Sequence, residues 1–323
     1  MGKSPIERIS FAEIEGVQTG NCQDNVAKTG VTVFYFPIPA PAAVSVLGGG
    51  PASREVSLAD PERNANALNA LVFGGGSSFG LEASHGVMKC LEEKGVGYFT
   101  GPCLVPLVCQ SDIYDLTYGA ADVRPDRDMG YRACSEALTG NHPVSGSVGA
   151  GTGATVGKPK GTSQAQKGGI GYAAGKVGGL VVGVAAVVNA YGDIYHLDRK
   201  VAGMTNEERD GFSDAADALL ELQPSDLLTG NTTLVAVFTN GDLSPIELKK
   251  VANMASAGMA RAIRPAFTMA DGDTLYALSV GSHKVRADVN VTGALAATLV
   301  AEAIFDAVQS GKVSEKEFLE NIH

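Results

Sequence analysis

Apolar and polar positions along the chain fall into blocks whose period changes abruptly, and those changes predict the elements. Val31-Thr32-Val33-Phe34-Tyr35-Phe36 and Ala43-Val44-Ser45-Val46-Leu47 read as two strands joined by a Pro-Ile-Pro-Ala-Pro connection, a hairpin near a sheet edge. Asn66 to Phe73 leads into the turn Gly74-Gly75-Gly76-Ser77-Ser78-Phe79-Gly80, and Leu81 to Lys94 follows with helical spacing and a stop at Gly95. A second helix is expected from Met129 to Leu138, ended by Gly140. Residues 145 to 179 are glycine-rich and polar, whereas Leu180 to Val188 is a continuous apolar run, the pattern of a strand buried on both faces. Met204 to Leu222 carries a helical piece and an acidic surface, and reads as an exposed connector. The polar stretch Leu228-Thr229-Gly230-Asn231 then gives way at Thr232 to an apolar, β-branched segment with the look of a central strand. Downstream, Ser244-Pro245-Ile246-Glu247 opens a helix running to about Ile263, with Ser as cap, Pro in the first turn and Glu three residues on. Asp271-Gly272 marks a hairpin within Thr268 to Val280, and the last helix spans Gly293 to Gln309, capped near Thr292 and stopped by Gly311. Paired helices around buried strands predict an α/β fold in which two sheets pack face to face with helices outside.

Composition narrows the picture. At 323 residues the chain exceeds the length at which one core usually stops growing, yet no linker divides it, so one domain over residues 1–323 is expected. Hydrophobic content of 45% against 19% charged supplies a broad core and excludes disorder. A net charge of −10 argues against a nucleic-acid surface, which needs clustered Lys and Arg. The five cysteines, an odd number without metal-type spacing, suit a reducing compartment and call for no metal or cofactor. The N-terminus lacks the apolar run of a signal peptide, and Gly179 to Val188 is too short to span a membrane, so a soluble cytoplasmic protein is expected.

The candidate chemistry centres on Thr232. If the bond before it were cut, one residue would carry a hydroxyl and an α-amine able to act as its base. A competitor is Gly76-Ser77-Ser78-Phe79-Gly80, which fits G-x-S-x-G between a strand and a helix. It would make Ser78 a hydrolase nucleophile, with His196 or His283 as base; otherwise it is a tight turn lining a pocket. Gly149-Ala150-Gly151-Thr152-Gly153-Ala154 satisfies a dinucleotide pattern, but the following Gly157, Pro159 and Gly161 allow no helix, and nucleotide binding is set aside. Lys158 is a lone cation in a glycine-rich loop, placed either to lower a nearby amine's pKa and steady negative charge or to be solvated. Asn189 ends the buried strand, where an amide can donate to an oxyanion or simply start a turn. Asp271 and Asp273 flank Gly272, as turn residues or as two carboxylates orienting an N-terminal amine.

In their order and spacing these segments resemble the DmpA-type family of N-terminal nucleophile hydrolases, and most closely its nylon-oligomer hydrolase branch (6-aminohexanoate-oligomer endohydrolases). The resemblance rests on Thr29-Gly30-Val31-Thr32-Val33, Gly74 to Leu81, Ile113-Tyr114-Asp115, Ala154 to Lys158, Ala185 to Asn189, Gly230-Asn231-Thr232-Thr233, Ser244 to Leu248 and Asp271-Gly272-Asp273-Thr274-Leu275. It implies an αββα four-layer sandwich and self-cleavage at Asn231-Thr232 into an α chain of residues 1–231 and a β chain of 232–323. Thr232 would be the nucleophile, with Asp271 and Asp273 beside it, Lys158 and Asn189 activating it or holding the oxyanion, and Tyr114 lining the site. The implied substrate is a linear amide or small peptide, and the implied assembly a tetramer of processed protomers. The aminopeptidase branch uses serine as nucleophile, with a serine and a glutamate in place of Asp271 and Asp273; that departure counts against β-peptidyl aminopeptidase activity.

Overall fold

Strand pairing in the computed structural model, which describes residues 5–63, 67–221 and 230–322, runs through one ten-stranded network. Its members are β1 (Glu7–Ile9), β2 (Gln18–Asp24), β3 (Thr29–Val46), β4 (Ala52–Arg54), β5 (Ala67–Gly74), β6 (Val108–Asp112), β7 (Gly169–Val177), β8 (Leu180–Asn189), β9 (Thr232–Thr239) and β10 (Thr274–Ser279). The order is β1-β7-β8-β9-β10-β3-β5-β6-β4, with β2 paired to the first half of β3.

The expected hairpin of Val31–Phe36 with Ala43–Leu47 does not form. Both pieces, the second as far as Val46, belong to β3, which continues through Pro37, Pro39 and Pro41. Proline cannot donate to a ladder, but here the partners change: β2 pairing ends at Tyr35, β10 pairing begins at Ala42, and the register with β5 slips between Tyr35 and Ala40. The change of partner lays one half of the network over the other. Phe34 and Phe36 of β3 meet Phe238 of β9 at ring-centroid distances of 5.3 and 6.2 Å, and Phe73 of β5 meets Tyr276 of β10 at 6.2 Å.

Helices cover both outer faces. Val31 and Val33 of β3, Val72 of β5 and Val108 of β6 pack against α1 (Ala83–Glu93) and α2 (Arg127–Ala137). After α3 (Ala215–Glu221), α4 (Pro245–Ala262) and α5 (Val289–Ser310) cover Val182, Val184 and Val188 of β8 and Val235 and Val237 of β9. The result is the expected αββα sandwich of mixed α/β class.

Several elements stand where the pattern put them. Ser244 and Glu247 form a reciprocal capping box on α4, and Gly95 and Gly140 follow α1 and α2 in positive-φ backbone. α5 starts earlier than expected because Asp288 caps it, accepting from the N–H groups of Asn290 and Val291. It is long and apolar enough to cross a bilayer, with mean hydropathy 1.6, but it is the core helix of its layer. The glycine-rich stretch hides β7: a Cβ on Gly171 would stand 2.2 Å from Ala307 N and 2.3 Å from Ala303 O, so its glycine lets α5 lie directly on the strand. Asp271-Gly272 makes no hairpin. Gly272 lacks the left-handed backbone a two-residue turn needs, and β10 pairs parallel with β9. Of the connector before β9, residues 222–229, with Leu228 and Thr229, lie outside the described residues.

Candidate active site

The alternation of β9 aims its first side chain. Leu234, Ala236 and Phe238 face the opposing sheet, while Val235 and Val237 face α4 and α5, so Thr232 opens on the inter-sheet side at one end of the sandwich. All of β9 is buried. Thr232 lies opposite Asn189 on β8, and on the other flank Asn231 bridges to Asp271 just before β10.

The Asn231–Thr232 junction is held from several sides. The Thr232 hydroxyl donates to the Asn231 carbonyl oxygen. The Gly272 N–H donates to that same oxygen at 2.7 Å, and the Asn231 N–H donates to Ala270 O at 3.2 Å. Gly272 can approach because it has no side chain: a Cβ there would stand 2.7 Å from Thr232 Oγ1. Gly230, at φ +105°, packs its bare face on Tyr114, where a Cβ would come within 2.7 Å of the ring.

Both carboxylates are buried and used. Asp271 accepts from Thr268 Oγ1 at 2.6 Å and from the Tyr191 N–H at 3.2 Å; Asp273 accepts from the Thr233 N–H at 2.6 Å and the Phe267 N–H at 3.1 Å. Burial raises both pKa values, and with the neighbouring Asp271 charge it carries Asp273 to about 7. Lys158 is buried and donates to Asn189 Oδ1 at 2.9 Å and Asn189 O at 3.1 Å. Desolvation pulls its pKa to about 7, against the opposing pull of Asp271, Asp115 and Asp273. One amine and one carboxyl of the cluster, Lys158 and Asp273, are therefore both brought toward neutrality, the range acid–base work requires. The Asn189 side-chain amide donates to Tyr114 O at 2.9 Å, so it ties Lys158 to the Tyr114 loop, while the donors on the Asn231 carbonyl are the Thr232 hydroxyl and the Gly272 N–H.

A cavity of about 270 Å³ opens on Thr232, lined among others by Ser77, Asp112, Tyr114, Asn231 and Met269. Two hollows of about 290 Å³, beside Arg209 and beside Arg264, touch none of the seven residues singled out from the sequence. Those seven, Thr232, Asn231, Lys158, Asn189, Asp271, Asp273 and Tyr114, come together. Ser78 is exposed; His196 stacks on Phe305 at 3.9 Å and His283 pairs with Glu15 at 2.9 Å, so neither supplies it with a base. Sequence reasoning passed over Asp112, which accepts from Gln110 Nε2 at 2.8 Å and which burial raises well above the usual carboxylate range. A polar residue ending a buried strand two positions before Tyr114 was the available signal. It also passed over Gly272 as a donor, whereas the alternative reading of the Gly76–Gly80 stretch, a tight turn lining a pocket, agrees with Ser77 in the cavity lining.

Residues 10–316 match the family model described as Peptidase family S58. An uncharacterised aminopeptidase of Mycobacterium tuberculosis is 36% identical over 303 residues, covering 88% of this chain and 86% of that protein. A 6-aminohexanoate-oligomer endohydrolase of Kocuria sp. is 32% identical over 315 residues, covering 92% and 85%. Among solved structures, the Ochrobactrum anthropi L-aminopeptidase D-Ala-esterase/amidase, described as a variant of the Ntn hydrolase fold, superposes with TM-score 0.67 at 18% identity, covering 93% and 86%. A Burkholderia sp. beta-aminopeptidase does so with TM-score 0.63 at 20% identity, covering 96% and 92%. These two show the shared fold.

Proposed function

This chain belongs to Peptidase family S58 and is a hydrolase of amide bonds, and within that family we propose that it is a self-processing N-terminal threonine amidohydrolase. One observation carries the reading: the Asn231 carbonyl oxygen, at the head of a buried central strand, is held by both the Thr232 hydroxyl and the Gly272 N–H. In self-processing, Thr232 Oγ1 attacks the Asn231 carbonyl carbon and the oxyanion is held by the Gly272 N–H. Collapse breaks the C–N bond as the hydroxyl proton passes to the departing Thr232 nitrogen, leaving an ester on Thr232 and a free α-amine, and water hydrolyses the ester to give chains 1–231 and 232–323 of one domain. In turnover that amine takes the hydroxyl proton, with Asp271, Asp273 and Lys158 relaying it; the acyl group passes to Thr232 and the amine product leaves. Water then clears the acyl-enzyme.

Substrates are linear amides of little bulk, 6-aminohexanoate-type oligomers or small peptides, in keeping with the similar endohydrolases and a cavity of about 270 Å³. Asp112 in that cavity favours a second reading, in which its carboxyl receives a terminal ammonium and the enzyme acts as a β-peptidyl aminopeptidase. Oligomers with a blocked N-terminus separate the two: cleavage supports endo action, and refusal supports the aminopeptidase. We place the protein in the cytoplasm, where its five free cysteines would stay reduced, as a tetramer of processed protomers. The primary test is a denaturing gel with N-terminal sequencing. The parent gives a band beginning at Thr232, and Thr232→Ala gives one unbroken, inactive chain. Turnover by an unbroken Thr232→Ala chain would sink the reading and return Ser78 to consideration.

A further inference from the structure

The G-x-S-x-G turn reads differently once its backbone is seen. Gly76 and Ser77 both take left-handed backbone, at φ +78° and +54°, while Ser78 does not. For glycine this costs nothing, but a serine there is strained. The turn is pinned by its N–H groups: Gly76 donates to Asp115 Oδ1 at 2.6 Å and Ser77 to Ile113 O at 2.9 Å. These bonds use the backbone only, so they would hold a glycine at 77 equally well. Ser77 lines the cavity together with Thr232, Asp112 and Tyr114, and its hydroxyl has no hydrogen-bond partner among the described residues. A residue in strained backbone with an unused hydroxyl, lining the same small cavity as the nucleophile, is what a substrate contact requires and what a mere turn does not.

We propose that Ser77 is a substrate-binding residue whose hydroxyl hydrogen-bonds an amide of the linear substrate in the Thr232 cavity. The proposal rests on Thr232 being the nucleophile. The bond is made in the ground state and kept through the reaction, so its loss falls on KM rather than kcat. The second hydroxyl of the motif, that of Ser78, is exposed and outside the cavity lining, which makes it the internal comparison.

The test uses processed enzyme and a linear 6-aminohexanoate oligomer. Ser77→Gly is expected to process normally, to melt about 1–3 °C higher as left-handed strain is relieved, and to raise KM roughly three- to tenfold with kcat held within about twofold. Ser77→Ala should raise KM alike without the gain in melting temperature, and Ser78→Ala should change neither constant. Unchanged KM in both Ser77 variants overturns the proposal, as does complete loss of turnover in either, which would make Ser77 part of the chemistry. Thr232→Ala is run beside them: if it is inactive and the Ser77 variants match the parent, this proposal alone fails. If it turns over substrate, the nucleophile assignment fails first.

Discussion

Replacing Gly272 with alanine tests whether the junction works by close contact. An ideal Cβ on Gly272 would stand 2.7 Å from Thr232 Oγ1, 2.8 Å from Gly50 O and 3.1 Å from Pro51 Cα. The Gly272 backbone is not left-handed, so alanine meets no dihedral penalty and the cost is the collision itself. Of the three atoms the hydroxyl yields most easily, by rotation about the Thr232 Cα–Cβ bond; Gly50 is fixed by its N–H bond to Asp271 O at 2.8 Å. Overpacking of this kind costs about 1–3 kcal/mol, which a chain of this size absorbs as a fall of a few degrees in Tm. The rate suffers more. A nucleophile displaced by about 1 Å loses on the order of a hundredfold, and the Gly272 N–H moves away from the Asn231 carbonyl at the same time. Freshly purified Gly272→Ala should therefore fold yet release the 232–323 fragment roughly a hundredfold more slowly than the parent, followed on denaturing gels beside thermal melts. Gly179→Ala is the control, because its Cβ would meet nothing nearer than Val285 Cγ1 at 3.7 Å. Processing of Gly272→Ala at the parental rate would refute the contact argument.

Three further outcomes follow from the same cluster, the first two best read in a Thr232→Ala background so that processing does not intervene. Asn189→Ala removes the 2.9 Å acceptor of Lys158 and the 2.9 Å donor to Tyr114 O, leaving buried groups unpaired; a loss of about 2–4 kcal/mol is expected from urea unfolding, and an unchanged midpoint contradicts the network. Lys158→Met bears on pH. The unfolded chain keeps this proton up to the ordinary value of 10.5, whereas the folded chain, with its pKa pulled to about 7, releases it above neutrality. The burial penalty is thus full below pH 7 and fades toward pH 10.5, so the parent should gain stability relative to Lys158→Met between urea titrations at about pH 7 and about pH 9.5; parallel behaviour refutes it. Gly230→Ala combines φ +105° with a Cβ 2.7 Å from the Tyr114 ring, and should lower Tm and slow processing together; normal values of both would show that the Gly230–Tyr114 packing carries no load.

What the chain revealed in advance, and what it concealed, divides along one physical line. Side chains with a strong local signature were legible: the break between Asn231 and the apolar run of β9, the Ser244–Glu247 cap, the glycines after α1 and α2. Functions carried by backbone or by close approach were not. β7 is hidden because its glycines serve α5 rather than the strand, β3 because its prolines fall where ladder partners change, and the Gly272 N–H because a backbone donor has no letter of its own. The site's assembly was legible only through resemblance, since its residues come from the loop after β6, the Lys158 loop, the end of β8, the start of β9 and the turn before β10. Topology then explains why they meet. Antiparallel pairing sets the last residue of β8 against the first of β9, and the parallel pairing of β9 with β10 brings the turn at Asp271 to the same end. A backbone break between Asn231 and Thr232 leaves the β8–β9 and β9–β10 ladders whole, whereas the segment before it is anchored at this end through Asn231, by the Ala270 carbonyl and the Gly272 N–H. A new N-terminus formed there would stay locked between two strands, while the old C-terminus would keep only its local anchors, so the first residue of a central strand is where a chain of this topology can be cut and keep its nucleophile in place.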